Sequence, residues 1–206
     1  MPQLARAKEP LRNSVLSRNN YRMEIHIIRH TAVENPEQLC YGFSDIPLRD
    51  RFLEDFEMVK AGQDYDSVFV SPAERCQRLA HFFKFKFKTD ERLREMNFGD
   101  WELKKWNDIP SVEIDPWYKD FVNVPAKNGE SLVAMQTRVS EFWKDLLNNS
   151  KVEKVLLITH LGVIRLIIQQ VLEFQLENMF RLQIDYGKRV VITFNNGIFS
   201  LKGFNE

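Results

Sequence analysis

The segment Lys154–Thr159, KVLLIT, is the feature that most constrains the fold of this chain. Its apolar residues fill consecutive positions, so an extended strand here must bury side chains on both faces. A helical pattern follows almost at once, over residues 162–172. A strand buried on both faces and followed by a helix is typical of parallel sheets, so the segment predicts a central strand of an α/β fold.

Short apolar runs alternate with amphipathic stretches along the rest of the chain. The runs predict strands at residues 23–28, 66–70, 189–194 and 198–202. Helical periodicity is found at residues 50–61, 73–83 and 131–147. Asn195-Asn196-Gly197 is a hairpin-turn signal between the last two strands. This order predicts a three-layer α/β/α sandwich with a mostly parallel central sheet.

Composition argues against several classes of protein. The 206 residues carry 29 basic and 29 acidic side chains, which gives no global electrostatic reason to bind nucleic acid or an anionic membrane. No apolar run approaches the roughly 18 residues of a membrane span. Cys40 and Cys76 form no metal-binding or redox motif. We therefore expect two free thiols in a cytoplasmic protein.

Residues 1–22 differ from the rest of the chain, with five basic side chains against the single acid Glu9. They contain no continuous apolar core of a secretory signal. We predict an N-terminal extension that is disordered or non-native, followed by one domain over residues 23–206. An amphipathic arm, a transit peptide or upstream sequence read in frame before Met23 are the alternatives.

Two segments of the body stand out. Residues 97–128 are aromatic and polar and contain three prolines, which predicts a partly helical, cap-like insertion. Residues 83–88, FKFKFK, alternate strictly. A nucleic-acid strip and a half-buried edge strand with outward lysines both have this pattern. We favour the edge strand, because nothing else in the body is basic.

Residues that could carry chemistry follow three of the predicted strands. Arg29 and His30 follow the predicted strand at residues 23–28. Ser71-Pro72 and then Arg75 follow the strand at residues 66–70, and His160 follows KVLLIT. Ligands of open α/β sheets bind at the carboxyl ends of strands. Each residue alone has an ordinary structural explanation, but together they favour an anion such as phosphate. Arginines clamp phosphate oxygens, and a neutral imidazole can attack phosphorus.

Phosphoryl transfer from an ester also requires a proton for the leaving oxygen. The best candidate donor is Glu95, in the stretch RLREMNFGDWE at the start of the insertion. Asp100 and Glu102 are the competing carboxylates. His26, on the first strand, is expected to have a packing role.

Four motifs together resemble the histidine phosphatase (phosphoglycerate mutase-like) superfamily over residues 23 to about 200: IIRHT, VSPAERC, REMNFGDWE and LLITHLGVIR. The resemblance implies a phosphoglycerate mutase-like fold and a phosphohistidine intermediate on His30. It implies that Arg29, Arg75 and His160 hold the phosphoryl group, with His160 part of the catalytic set. Glu95 would be the proton donor and then the base for water. No metal or other cofactor is implied.

Within the superfamily, RHT and CYGFSDIPL resemble the adenosylcobalamin/α-ribazole phosphatases, as does Gly129-Glu130-Ser131. The resemblance implies hydrolysis of a small phosphomonoester, α-ribazole 5′-phosphate, in cobalamin biosynthesis. A phosphoglycerate mutase, a broad-specificity sugar-phosphate phosphatase and a non-catalytic phosphate-binding module are the alternatives. Leu103 and Leu161 stand where the family often has glycine, so we expect an altered turn and pocket rim. The sequence sets no oligomeric state.

Overall fold

In the computed structural model, residues 22–148 and 152–206 form six strands and five α-helices. The strands are β1 Arg22–Arg29, β2 Ser67–Val70, β3 Lys88–Thr89, β4 Lys154–Thr159, β5 Arg189–Asn195 and β6 Ile198–Gly203. The helices are α1 Phe52–Glu57, α2 Glu74–Phe82, α3 Ser111–Lys119, α4 Leu132–Leu147 and α5 Leu161–Leu172. Over these two ranges, no helix is both long and apolar enough to span a bilayer. The predicted extension lies outside the described residues, except for Arg22, with which β1 begins.

The strands form one sheet in the order β3-β2-β4-β1-β5-β6. The pairs β3-β2, β2-β4 and β4-β1 are parallel, whereas β5 and β6 form an antiparallel ribbon beside β1. KVLLIT thus has a parallel neighbour on each side, as its pattern predicts. The hairpin between β5 and β6 is also confirmed, with Asn196 and Gly197 both in the left-handed region that a two-residue turn requires.

Helices cover both faces of this sheet, which confirms the three-layer sandwich. Val155 and Leu157 of β4 pack into one core cluster with α4 and α5. Leu156 and Ile158 pack into a second cluster with α1 and α2. The two clusters explain why consecutive positions of β4 are apolar, since each face of the strand meets a different helical layer.

The edge strand predicted over residues 83–88 is wrong in extent. Only Lys88 pairs with the sheet, as the first residue of β3. Lys84 lies in the left-handed region and its N–H bonds His81 O, so α2 ends in a turn that reverses the chain. The alternation still governs burial, because Phe83, Phe85 and Phe87 pack on the second core cluster.

Two smaller predictions concern local turns: the extent of helix α1 and the turn at Leu103. Helix α1 is shorter than the predicted 50–61, because Val59 and Ala61 turn back into the core after Glu57. Leu103 lies in the left-handed region at φ 62°, a conformation that glycine adopts more readily. The turn therefore keeps a glycine-like backbone although the side chain is leucine. Both cysteines are buried free thiols.

Candidate active site

The register of the parallel strands brings their carboxyl ends to one edge. Arg29 of β1 lies beside Thr159 of β4, and Val70 of β2 lies beside Ile158. The next residues continue the ladder, since His30 N donates to Thr159 O (2.9 Å) and Ser71 N donates to Ile158 O (2.9 Å). The residues that follow three strands therefore share one site.

A cavity of about 710 Å³ opens at this edge. Four of the five predicted site residues line it: Arg29, His30, Arg75 and Glu95. The fifth, His160, packs against His30 with ring centroids 5.1 Å apart. The structure thus brings the predicted site residues together, whereas His26 bonds Glu24 and Tyr65 elsewhere on β1.

His30 is a buried imidazole with a defined tautomer. Its Nδ1 lies 2.7 Å from Thr31 O. A carbonyl oxygen only accepts, so Nδ1 carries the proton and Nε2 of the neutral ring keeps its lone pair. Burial, then the charges of Arg75 and Arg29, hold the pKa of His30 well below its ordinary value, although the bond to Thr31 opposes them. The ring is therefore neutral near pH 7 and can act as a nucleophile.

His160 is also neutral, with both ring nitrogens engaged. Arg75 Nη2 donates to Nδ1 (3.2 Å), so Nε2 carries the proton and donates to Ser71 Oγ (2.7 Å). Burial, followed by the charge of Arg75, holds the pKa of His160 well below its ordinary value. His160 thereby fixes the orientation of the Arg75 guanidinium beside His30.

Arg29 and Arg75 are buried cations held by backbone carbonyls. Arg29 Nη1 donates to Ile184 O (2.6 Å), and Arg75 donates to Gly42 O (2.7 Å) and Ser44 O (3.0 Å). Neither Nε has a partner within the described part of the chain. Two rigid guanidinium groups beside a neutral imidazole provide the positive charge and the hydrogen-bond donors that a phosphoryl dianion requires.

Glu95 is held at the cavity wall by two backbone donors. Gly162 N donates to Oε2 and Met96 N donates to Oε1, each at 3.0 Å. The bond to Gly162 ties the carboxyl to the first turn of α5, the helix that follows His160. Glu95 is therefore placed beside the end of β4, which His160 follows.

The competing carboxylates have other positions. Glu102 accepts bonds of 3.0–3.1 Å from the backbone N–H groups of residues 42–44 and Phe98, so it fastens the loop that holds Arg75. Asp100 is exposed and bonds Asn128. Neither lines the cavity.

Arg138 on α4 is a supporting residue of the site that sequence reasoning missed. Its guanidinium donates to three carbonyls at 2.8–2.9 Å, those of Arg92, Arg94 and Glu95. It also bonds both carboxylate oxygens of Glu130. The clamp fixes the backbone that carries Glu95, and Glu130 in Gly-Glu-Ser was the available sequence signal.

Apart from Arg165 on α5, the remainder of the cavity wall is apolar and largely aromatic. The insertion contributes Phe98, Trp106, Trp117, Tyr118 and Phe121, and other segments contribute Leu39, Tyr41, Met96, Leu132, Met135, Leu161, Met179, Phe180 and Tyr186. Leu161 lies in this wall at the start of α5. The insertion is partly helical, as predicted, with α3 and short 3₁₀ turns at Gly99–Trp101 and Trp106–Asp108. Such a wall suits a flat, apolar group beside the charged end.

We expect Gly162→Ala to lower activity without lowering stability. A methyl group at Gly162 would lie 2.2 Å from Glu95 Oε1, so the flexible carboxyl must move away. Alanine in a helix is otherwise favourable, and we expect a kcat loss of about tenfold or more with an unchanged melting temperature. Gly42→Ala is the contrasting variant, because its methyl would meet the fixed Met96 carbonyl at 1.7 Å and should cost stability. A fully active Gly162→Ala protein would contradict the placement of Glu95.

The two buried histidines of the site, His30 and His160, should make stability depend on pH. Both have a pKa well below 6.5 in the folded chain. Below pH 6.5 the unfolded chain therefore binds protons that the folded chain does not. As the pH is lowered, the free energy of unfolding decreases by up to about 1.4 kcal/mol per pH unit for each histidine. Urea unfolding at pH 7 and pH 5.5 measures the decrease, which should be smaller in His30→Asn. An equal decrease in both proteins would contradict this.

Comparisons with known proteins point in one direction. The model of the histidine phosphatase superfamily (branch 1) matches residues 25–206. The adenosylcobalamin/α-ribazole phosphatase of Escherichia coli is 27% identical over 195 residues, which cover 89% of this chain and 96% of the relative. The crystal structure of the α-ribazole phosphatase from Shigella flexneri is 26% identical, with a TM-score of 0.83 over 89% of this chain and 96% of that one. Phosphoglycerate mutase from Bacillus anthracis, at 18% identity over 91% of this chain and 94% of that one, shares the fold with a TM-score of 0.72.

Proposed function

Because the chain belongs to the histidine phosphatase superfamily, we propose that it is a phosphomonoesterase acting through a phosphohistidine on His30, with α-ribazole 5′-phosphate as substrate. The observation that carries the proposal is the state of His30. Its Nδ1 proton is bonded to Thr31 O, and its ring lies in one cavity with Arg29, Arg75 and Glu95.

In the first step, the guanidinium groups of Arg29 and Arg75 bind the phosphoryl oxygens, and His30 Nε2 attacks phosphorus. The bond from phosphorus to the leaving oxygen breaks, and protonated Glu95 gives its proton to that oxygen. In the second step, the Glu95 carboxylate takes a proton from water while the water oxygen attacks phosphorus. The N–P bond then breaks and inorganic phosphate leaves. Fixed cations supply the charge stabilisation.

The aromatic wall supports the choice of substrate. Trp106, Trp117, Phe98 and Phe121 belong to the insertion and line the same cavity as His30. An aromatic base linked through a sugar to the phosphate could pack among these rings. The similar proteins of Escherichia coli and Shigella flexneri carry the name α-ribazole phosphatase. We place the reaction in cobalamin biosynthesis in the cytoplasm.

Phosphate release from a panel of monoesters tests the proposal. The panel contains α-ribazole 5′-phosphate, 3-phosphoglycerate, fructose bisphosphate and p-nitrophenyl phosphate. We expect the highest kcat/KM for α-ribazole 5′-phosphate, by about tenfold or more over the other natural esters. Equal or better hydrolysis of a sugar phosphate would contradict the substrate assignment. Isomerisation of 3-phosphoglycerate would indicate a mutase, and no turnover of any ester would indicate a binding module.

A further inference from the structure

Arg165 is a third arginine of the cavity, and neither step of the proposed reaction uses it. Its side chain lies on α5, is 8% exposed and lines the cavity. Its Nε donates to Leu182 O (2.8 Å), and its guanidinium lies 5.2 Å from the centre of the Phe180 ring. Among residues 22–148 and 152–206, nothing accepts a hydrogen bond from its terminal nitrogens, Nη1 and Nη2.

The position of Arg165 along α5 relates it to the leaving group. His160 precedes the helix, Gly162 N bonds Glu95, and Arg165 follows three residues later on the same face. Three residues of helix advance about 4.5 Å along the axis. Moving along α5 away from His160, the helix therefore carries first the contact with Glu95 and then Arg165, and both side chains line the cavity.

The electrostatic surroundings of Arg165 agree with this order. Burial lowers the pKa of Arg165, while the charge of Glu95 opposes the decrease and that of Arg29 adds to it. Glu95 thus acts on Arg165 as a source of negative charge.

We propose that Arg165 selects the leaving group by donating hydrogen bonds to its hydroxyl oxygens. The proposal rests on the proposed function, in which Glu95 protonates the ester oxygen, so the carbon skeleton attached to that oxygen extends past Glu95 towards Arg165. In a nucleoside 5′-phosphate that skeleton is ribose. The two terminal nitrogens of a guanidinium match the neighbouring 2′ and 3′ hydroxyls.

The test compares α-ribazole 5′-phosphate with its 2′,3′-dideoxy analogue. For the parent protein we expect a kcat/KM ratio of about 10 to 100 in favour of the hydroxylated ester, as for hydrogen bonds from a charged donor. In Arg165→Met the ratio should fall to about 1–3, and Arg165→Lys should be intermediate. Arg51→Met, at an exposed arginine near α1, is the matched control and should keep the parent ratio.

If the parent protein hydrolyses α-ribazole 5′-phosphate and its 2′,3′-dideoxy analogue with equal kcat/KM, the proposal is overturned without any variant. An unchanged ratio in a folded Arg165→Met protein would also overturn it, because a purely structural role lowers both rates equally. If α-ribazole 5′-phosphate is a poor substrate, the substrate assignment fails by itself. The same comparison with uridine 5′-monophosphate and its dideoxy analogue then decides the role of Arg165.

Discussion

Replacement of His30 by alanine is expected to lower kcat by about 10⁴-fold or more on every phosphomonoester. No other described group in the cavity can take over the attack on phosphorus. His160 is adjacent, but its Nδ1 accepts from Arg75 and its protonated Nε2 bonds Ser71. The fold should persist, because the lost side chain ends a strand whose ladder is made by backbone groups.

Rapid acid-quench labelling measures this directly. The parent protein mixed with a ³²P-labelled monoester should carry acid-labile, base-stable label, and His30→Ala should carry none. His26→Ala is the matched control, since it removes a second buried histidine from the same strand without touching the cavity. It should label like the parent protein. Equal labelling of His30→Ala and the parent would assign the nucleophile elsewhere.

The convergence of His30, Arg75 and His160 could be predicted because it depends on backbone regularity. Parallel neighbours end together at one edge, so residues that follow β1, β2 and β4 meet whatever the loops do. KVLLIT carried the most information, since burial on both faces leaves few positions in a sheet. The edge strand β3 and the shorter helix α1 depend more on local turns, and their predicted bounds were less accurate.

The supporting contacts could not be predicted, because periodicity does not identify the partners of a polar side chain. Glu102 lies in the motif of Glu95 and is also a glutamate, yet it bonds three backbone N–H groups of the loop beneath Arg75 and that of Phe98. Arg138 has the spacing of an ordinary helix-surface charge but clamps the Glu95 segment. Such roles are set by loop conformations that bring together backbone segments far apart in the sequence.

Replacement of Glu95 by glutamine should give the second largest loss, and its size should depend on the leaving group. Glutamine keeps the length of the side chain and one acceptor oxygen for Gly162 N or Met96 N, but it cannot donate or take up the catalytic proton. For an alkyl phosphate, the loss in kcat/KM should be about 10² to 10⁴-fold. For p-nitrophenyl phosphate it should be much smaller, since p-nitrophenolate leaves without a proton. Phosphate-release assays with both esters measure the difference.

Glu102→Gln is the control that separates proton transfer from structural damage. Its carboxylate also accepts only backbone hydrogen bonds, but it lies outside the cavity lining and anchors the loop that holds Arg75. It should lower the melting temperature and reduce both rates by a similar factor, because a displaced arginine affects every phosphoryl group alike. Equal losses on the alkyl and aryl esters in Glu95→Gln would show that Glu95, like Glu102, has only a structural role. The proton donor would then have to be sought elsewhere among the groups that line the cavity.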